Sequence, residues 1–197
     1  MPTPIGHSLA GAVIYALSTR GKNLLASWRW LVVCMIVAAL PDIDFVPALF
    51  GRFDIANRVH RHVTHTALMA VVVGIVAYGV LRGLRRARPV RYAAIIFSCW
   101  ASHIFLDLLG KDYRPPIGIR FLWPFVGKSY KIPLEVFLDV HKDTYADVFT
   151  AHNAVVLLQE VLIFGAMLSV IVVVKLLYGL KQRRGKEDEG FSADGTK

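Results

Sequence analysis

Five apolar runs, separated by basic clusters and proline-containing breaks, restrict this chain to few folds. The longest extends from about Asp147 to Leu180 and ends at Lys181, Arg183 and Arg184. Another opens between Leu24 and Trp28, with Trp28, Arg29 and Trp30 as interfacial anchors, and stops at Pro41. A third starts near Val63, is apolar from Ala67 to Leu81, and ends at Arg82, Arg85, Arg86, Arg88 and Arg91. The fourth covers about Pro89 to Leu109, and Pro89 suits a first helical turn. The first in the chain, Ile5 to Ser18, falls short of the roughly 20 residues a span needs, so it is expected to be tilted, re-entrant or interfacial. These runs predict an all-α, multi-pass transmembrane bundle of about five helices. Residues 41–58 and 111–147 are expected as connections.

Composition agrees, since 55% hydrophobic residues in 197 is more than most soluble domains carry. Residues 1–182 are expected to form one membrane-embedded domain, and the polar stretch 183–197 a disordered cytoplasmic tail. A net charge of +9 raises nucleic acid as a partner, but more than half of the 23 Lys and Arg lie in three short segments beside apolar runs. Membrane orientation accounts for them, and the expected partner is the bilayer rather than nucleic acid. Cys34 and Cys99 lie inside apolar runs without Cys-x-x-Cys spacing, which suits packing and not a thiolate metal site.

With residues 20–29, 82–91 and 175–186 facing the cytoplasm, all 7 histidines fall on the outer side or in the outer half of a helix. His103 and Asp107 are four apart, so a helix stacks them on one face, where an imidazole and a carboxylate can share an ion. Ionisable residues in a membrane segment are costly unless paired, coordinated or hydrated. His7 begins the first run at its outer end, Asp42 and Asp44 follow the second, and His60 and His65 precede the third. Imidazoles and carboxylates without thiolate suit a divalent ion, zinc foremost with manganese and iron as alternatives, and so many donors can hold two or more ions. Two-metal sites activate water and clamp phosphoester oxygens, which points to hydrolysis.

Each element also has a plainer reading. Asp42 and Asp44 can cap a turn, His60, Arg61 and His62 can face headgroups, and His103 can bond across the bundle. Asp107 can pair with Lys111 or Arg114. The shared sidedness of the histidines favours one site, because independent structural roles would not require it.

Gly6-His7-Ser8, Pro41-Asp42-Ile43-Asp44, His60-Arg61-x-x-Thr64-His65-Thr66 and Ser102-His103-x-x-x-Asp107 resemble, in order and combination, the YdjM-like family of LexA-regulated inner-membrane proteins described as metal-dependent hydrolases. His62 stands where that pattern expects a small residue, and Thr66 where it expects serine. The family is distantly similar to zinc-dependent phospholipase C, which implies phosphoester chemistry; the family itself implies the inner (plasma) membrane, and the charge pattern puts the site near the non-cytoplasmic face. On this reading His7, Asp42, His60, His65, His103 and Asp107 hold metal, while Asp44 bridges ions or acts as base. Arg61 or Arg114 would steady an anionic oxygen of a lipid or lipid-linked substrate. The alternatives are a transporter or ion-conducting protein with intramembrane His103, Asp107 and Glu160, and a non-catalytic metal-binding membrane protein.

Overall fold

The structure, a computed structural model, describes residues 1–19, 27–112 and 117–194, and the side chains of these except at 58–59 and 181–194. Its elements are α1 (Pro4–Ser18), α2 (Trp28–Ala39), a 3-10 helix (Leu40–Phe50), α3 (Phe53–Val59), a 3-10 turn (Val63–His65), α4 (Ala67–Gly83), α5 (Pro89–Leu108), α6 (Tyr145–Val148) and α7 (Ala151–Asp194). The described residues contain no strand; Gly110 with Phe137 and Ile119 with Tyr130 pair as isolated bridges. Trp28–Phe50, Pro89–Leu108 and Ala151–Leu180 are long and apolar enough to cross a membrane, and Ala67–Gly83 is a shorter apolar helix. With α1, they make the five-helix membrane bundle that the apolar runs predict.

Burial is inverted relative to a water-soluble domain. Leu17, Ile75 and Val170 are more than 60% exposed on the outer faces of their helices, whereas His65, His103 and Glu160 have no exposed surface. Lipid solvates the apolar exterior and gives nothing to a polar group, so ionisable side chains turn inward toward one another. The 15-residue helix α1 lies inside the bundle against α2, α5 and α7, and α4 packs on the far side of α5. Gly11 permits the closest of these approaches, because a Cβ there would sit 2.4 Å from the Cys34 carbonyl oxygen of α2. Small residues at a helix crossing let backbones meet where hydrophobic burial cannot drive association.

The chain between residues 41 and 58 differs from the expected connection. Pro41 ends α2 but lies in the first turn of the 3-10 helix, where a missing N–H breaks no bond, so the apolar segment continues to Phe50. Gly51, at φ 74°, then turns the chain into α3. The third apolar run likewise divides. Val63–His65 is a separate turn, and α4 starts only after Thr66, whose hydroxyl accepts from the Met69 amide at 3.1 Å. Thr144 caps the short α6 in the same way before α7 begins at Ala151, and α7 continues helical to Asp194, past the basic cluster where the apolar run ends.

Candidate metal centre

His103 and Asp107, four apart on α5, form the floor of the site and are both buried. The His103 Nδ1–H donates to the Ala38 carbonyl at the end of α2 (2.8 Å). A carbonyl only accepts, so the proton sits on Nδ1 and the Nε2 lone pair is free to bind. Nε2 lies 3.4 Å from Asp42 Oδ1, 3.5 Å from Asp107 Oδ2 and 3.1 Å from His65 Nε2. His65 Nε2 in turn lies 3.3 Å from Asp107 Oδ2 and 3.7 Å from Asp42 Oδ1. Four donor atoms from three segments thus stand 3.1–3.7 Å apart in these five pairs. Donors placed tetrahedrally at bond lengths of about 2.1 Å are separated by about 3.4 Å, so the quartet has the size of a four-coordinate shell.

Two further imidazoles flank the quartet. His7, in the first turn of α1, stacks on His103 at 3.6 Å between ring centroids and brings Nε2 to 3.4 Å from Asp107 Oδ1. His60, which closes α3, lies 4.0 Å from Asp42 Oδ1 through Nε2. The donors also group as two separate triads, His7 with His103 and Asp107, and Asp42 with His60 and His65, each able to hold an ion. Among the described residues, His7 Nδ1 and both Asp107 oxygens find no hydrogen-bond partner although buried. A buried carboxylate without hydrogen-bond donors is costly, and a cation between the imidazoles would satisfy it. Nitrogen and oxygen donors with no thiolate fit a hard or borderline divalent ion.

Asp44 sits behind the imidazoles. Its Oδ1 accepts from His60 Nδ1 (2.7 Å), while Oδ2 accepts from the Thr64 hydroxyl (2.7 Å) and the Arg61 amide (3.3 Å) and faces His65 Nδ1 at 3.3 Å. Arg61 has φ 70°, and this left-handed turn aims its N–H at Asp44. The arrangement fixes His60 with Nε2 toward the site. Burial and the nearby Lys142 ammonium pull the His60 imidazole down to about 4. Burial acts the same way on His65, but hydrogen bonds to Asp42 and Asp44 and the charge of Asp107 outweigh it and raise that imidazole to about 9. The loop is braced from α5, where Trp100 Nε1 donates to the Thr64 carbonyl at 2.9 Å.

All seven ligand candidates named from the sequence therefore converge, whereas Arg61 is engaged with another partner. The Arg61 guanidinium pairs with Asp112, which also accepts from the Gly118 amide at 2.9 Å. Arg114 lies outside the described residues. His62 is exposed, and His141 and His152 stack on each other (4.1 Å) away from the quartet. Asn153 ties the His141 backbone to the start of α7, and Glu160 bonds to the start of α1. Sequence spacing missed Thr64 and Lys142. Thr64 falls within the His60–His65 motif, but Lys142 carries no local pattern; its ammonium lies 4.6 Å from the Phe45 ring, whose edge meets His60.

A family model described as YdjM inner membrane protein matches residues 1–182. The chain belongs to that family. It is also 28% identical over 136 residues to "Inner membrane protein YbcI" of Escherichia coli (strain K12), covering 69% of this chain and 75% of that protein. No solved structure matches it. Membership in the YdjM family agrees with the inverted burial and the three helices of spanning length, and with an inner-membrane location.

Proposed function

We propose that this YdjM-family protein is a membrane-bound metal-dependent hydrolase that cleaves a phosphoester in a lipid or lipid-linked molecule. The observation that carries the reading is the quartet of His65 Nε2, His103 Nε2, Asp42 Oδ1 and Asp107 Oδ2 at the separations of a tetrahedral shell. Zinc is the ion such a shell fits best, and the flanking His7 and His60 provide for a second. A divalent ion there supplies Lewis acidity and lowers the pKa of water toward neutrality.

The remaining roles belong to the chain. Asp44 holds the His60 tautomer through its contact with Nδ1. Asp42 and Asp44 are the carboxylates of the cluster that keep some exposure, 13% and 12% of their side chains, so water reaches the centre from their side. Lys142 and Phe45 lie beside His60, and the Lys142 ammonium is a cation suited to an anionic oxygen of the substrate. Exposed Trp123, Phe125 and Val126, followed by Lys128, provide apolar and cationic surface suited to headgroup level. Donors gathered within a few ångströms favour a fixed centre over an ion pathway across the membrane.

The test is release of phosphate or a phosphorylated headgroup from mixed lipid micelles by purified protein. Activity should be lost on chelation and in Asp42→Asn. Cleavage that survives both belongs to a contaminant, and metal-dependent cleavage confined to soluble esters or peptides would show that the bond is another one.

A further inference from the structure

Helix α1 carries His7 yet is too short to span a membrane, and both its ends are held by one partner. Glu160 of α7 is fully buried and accepts from the Thr3 amide (2.6 Å) and the Thr3 hydroxyl at the start of α1. Gly6 leaves room for this carboxylate, because a Cβ at residue 6 would lie 2.7 Å from its carbon. At the other end of α1, the Lys175 ammonium of α7 donates to the Ala16 carbonyl (2.5 Å) and to the Thr19 carbonyl. Glu160 and Lys175 are separated by the same 15 residues that make up α1, about 22 Å of helix. The two helices run in the same direction, so their dipoles oppose close packing. The carboxylate meets the positive N-terminus and the ammonium the negative C-terminus. In lipid no water completes those free amides and carbonyls, so α7 completes them.

His7 depends on this arrangement more than the other imidazoles do. His103 is anchored through Nδ1 by Ala38, His60 by Asp44, and His65 by Thr64 and Asp44, whereas His7 Nδ1 has no hydrogen-bond partner among the described residues. The position of its ring is therefore set by where α1 sits and by stacking on His103.

We propose that Glu160 and Lys175 are positioning residues, a two-ended clamp by which α7 fixes the height of α1 and so places His7 against Asp107 and His103. The inference rests on the metal-centre reading for its consequence. It is tested on the full chain in detergent by chelator competition for zinc and by the visible spectrum of the cobalt-loaded protein, with amide exchange of α1 as a metal-independent readout. Glu160→Gln and Lys175→Met should each weaken the His7-dependent zinc at least tenfold, as loss of an outer-shell partner commonly does. Both should alter the cobalt spectrum and speed exchange in α1. The double variant Glu160→Gln/His7→Ala should bind no more weakly than His7→Ala alone, because Glu160 acts through His7, and zinc held by Asp42, His60 and His65 should persist in all of them. Should Glu160→Gln not fold, Lys175→Met with its own His7→Ala double carries the same comparison. Wild-type affinity and spectrum in the single variants, or a fully additive double, would overturn the clamp while leaving the metal centre standing. A wild type that binds no metal would overturn the metal-centre reading, and the clamp would then stand or fall on exchange in α1.

Discussion

Gly11→Ala is the sharpest test of how the helix crossing sets the site. The added Cβ would lie 2.4 Å from the Cys34 carbonyl oxygen, 2.8 Å from its carbon and 2.9 Å from the Ala38 Cβ. The first two are backbone, which cannot rotate away, and ordinary contact begins near 3.4 Å, so α1 and α2 must part by about 1 Å. His7 lies one turn before Gly11 on the same face, and Ala38 supplies the carbonyl that orients His103 at 2.8 Å. Separation by 1 Å therefore opens the 3.6 Å stack of His7 on His103 or stretches the His103 bond beyond hydrogen-bonding range. Overpacking costs about 1–3 kcal/mol, and a lost hydrogen bond about 1 kcal/mol more. The midpoint of thermal unfolding should fall by about 2–4 °C for each kcal/mol. Zinc affinity should drop about 10- to 100-fold. Gly79→Ala on α4 is the matched control, since nothing lies within 4 Å of its added Cβ, and it should be neutral or slightly stabilising. Metal content and midpoint in Gly11→Ala equal to wild type would refute the idea that this crossing positions the ligands.

Three other outcomes are expected. Metal analysis of protein purified without chelator should find zinc in the wild type and much less in His103→Ala or Asp107→Ala, where only the Asp42, His60 and His65 triad stays whole; metal-free wild type would remove the centre, and full occupancy in both variants would move the ligands elsewhere. His65, raised to about 9, is protonated at pH 7 in the metal-free protein. That proton stabilises the metal-free fold below about pH 6.5, the stabilisation is lost as pH rises through 9, and metal must displace it. Apparent zinc affinity should therefore rise about tenfold per pH unit between 7 and 9, with proton release seen by calorimetry in two buffers. A flat profile there would remove His65 from the ligands. For orientation, cysteines placed at Ala87 and Ser192 should be shielded from an impermeant reagent in intact cells while those at Arg52 and Ser129 react, and the reverse pattern would put the site on the cytoplasmic face.

Much of the bundle and the donor set was legible because both follow from local pattern. Apolar run length marks the helices of spanning length, and the four-residue spacing of His103 and Asp107 survives any tertiary arrangement. What was not legible depends on residues far apart in the chain. Pro41 looks like a stop, and only the continued 3-10 turn shows that it opens the segment carrying Asp42 and Asp44. Arg61 looks like a free cation until Asp112, 51 residues away, closes on it. Asp44 reads from the sequence as bridging ions or acting as base, but the loop from Arg61 to Thr64 folds over it and leaves Asp42 facing His103 and His65. Glu160 meets Thr3 across 157 residues.

The balance of charge at the centre gives the last reason to expect a cation there. Asp42, Asp44 and Asp107 bring three carboxylates against His65, whose imidazole is raised to about 9, while His60 is pulled down to about 4. Asp44 is hydrogen-bonded from its loop, so its charge is spread over donors of the chain. Asp107 has no such donors among the described residues and no exposed side-chain surface. A group in that condition costs about 1–3 kcal/mol or more, and an aliphatic residue in its place would avoid the cost. The chain instead surrounds it with three imidazoles, His7, His65 and His103, each bringing Nε2 to within 3.5 Å. The His65 proton offsets part of that charge, and once it is displaced the three Nε2 atoms face the carboxylate together and can share an ion with it. The cost of burying Asp107 is thus understandable if the helices are packed for an ion-bound state.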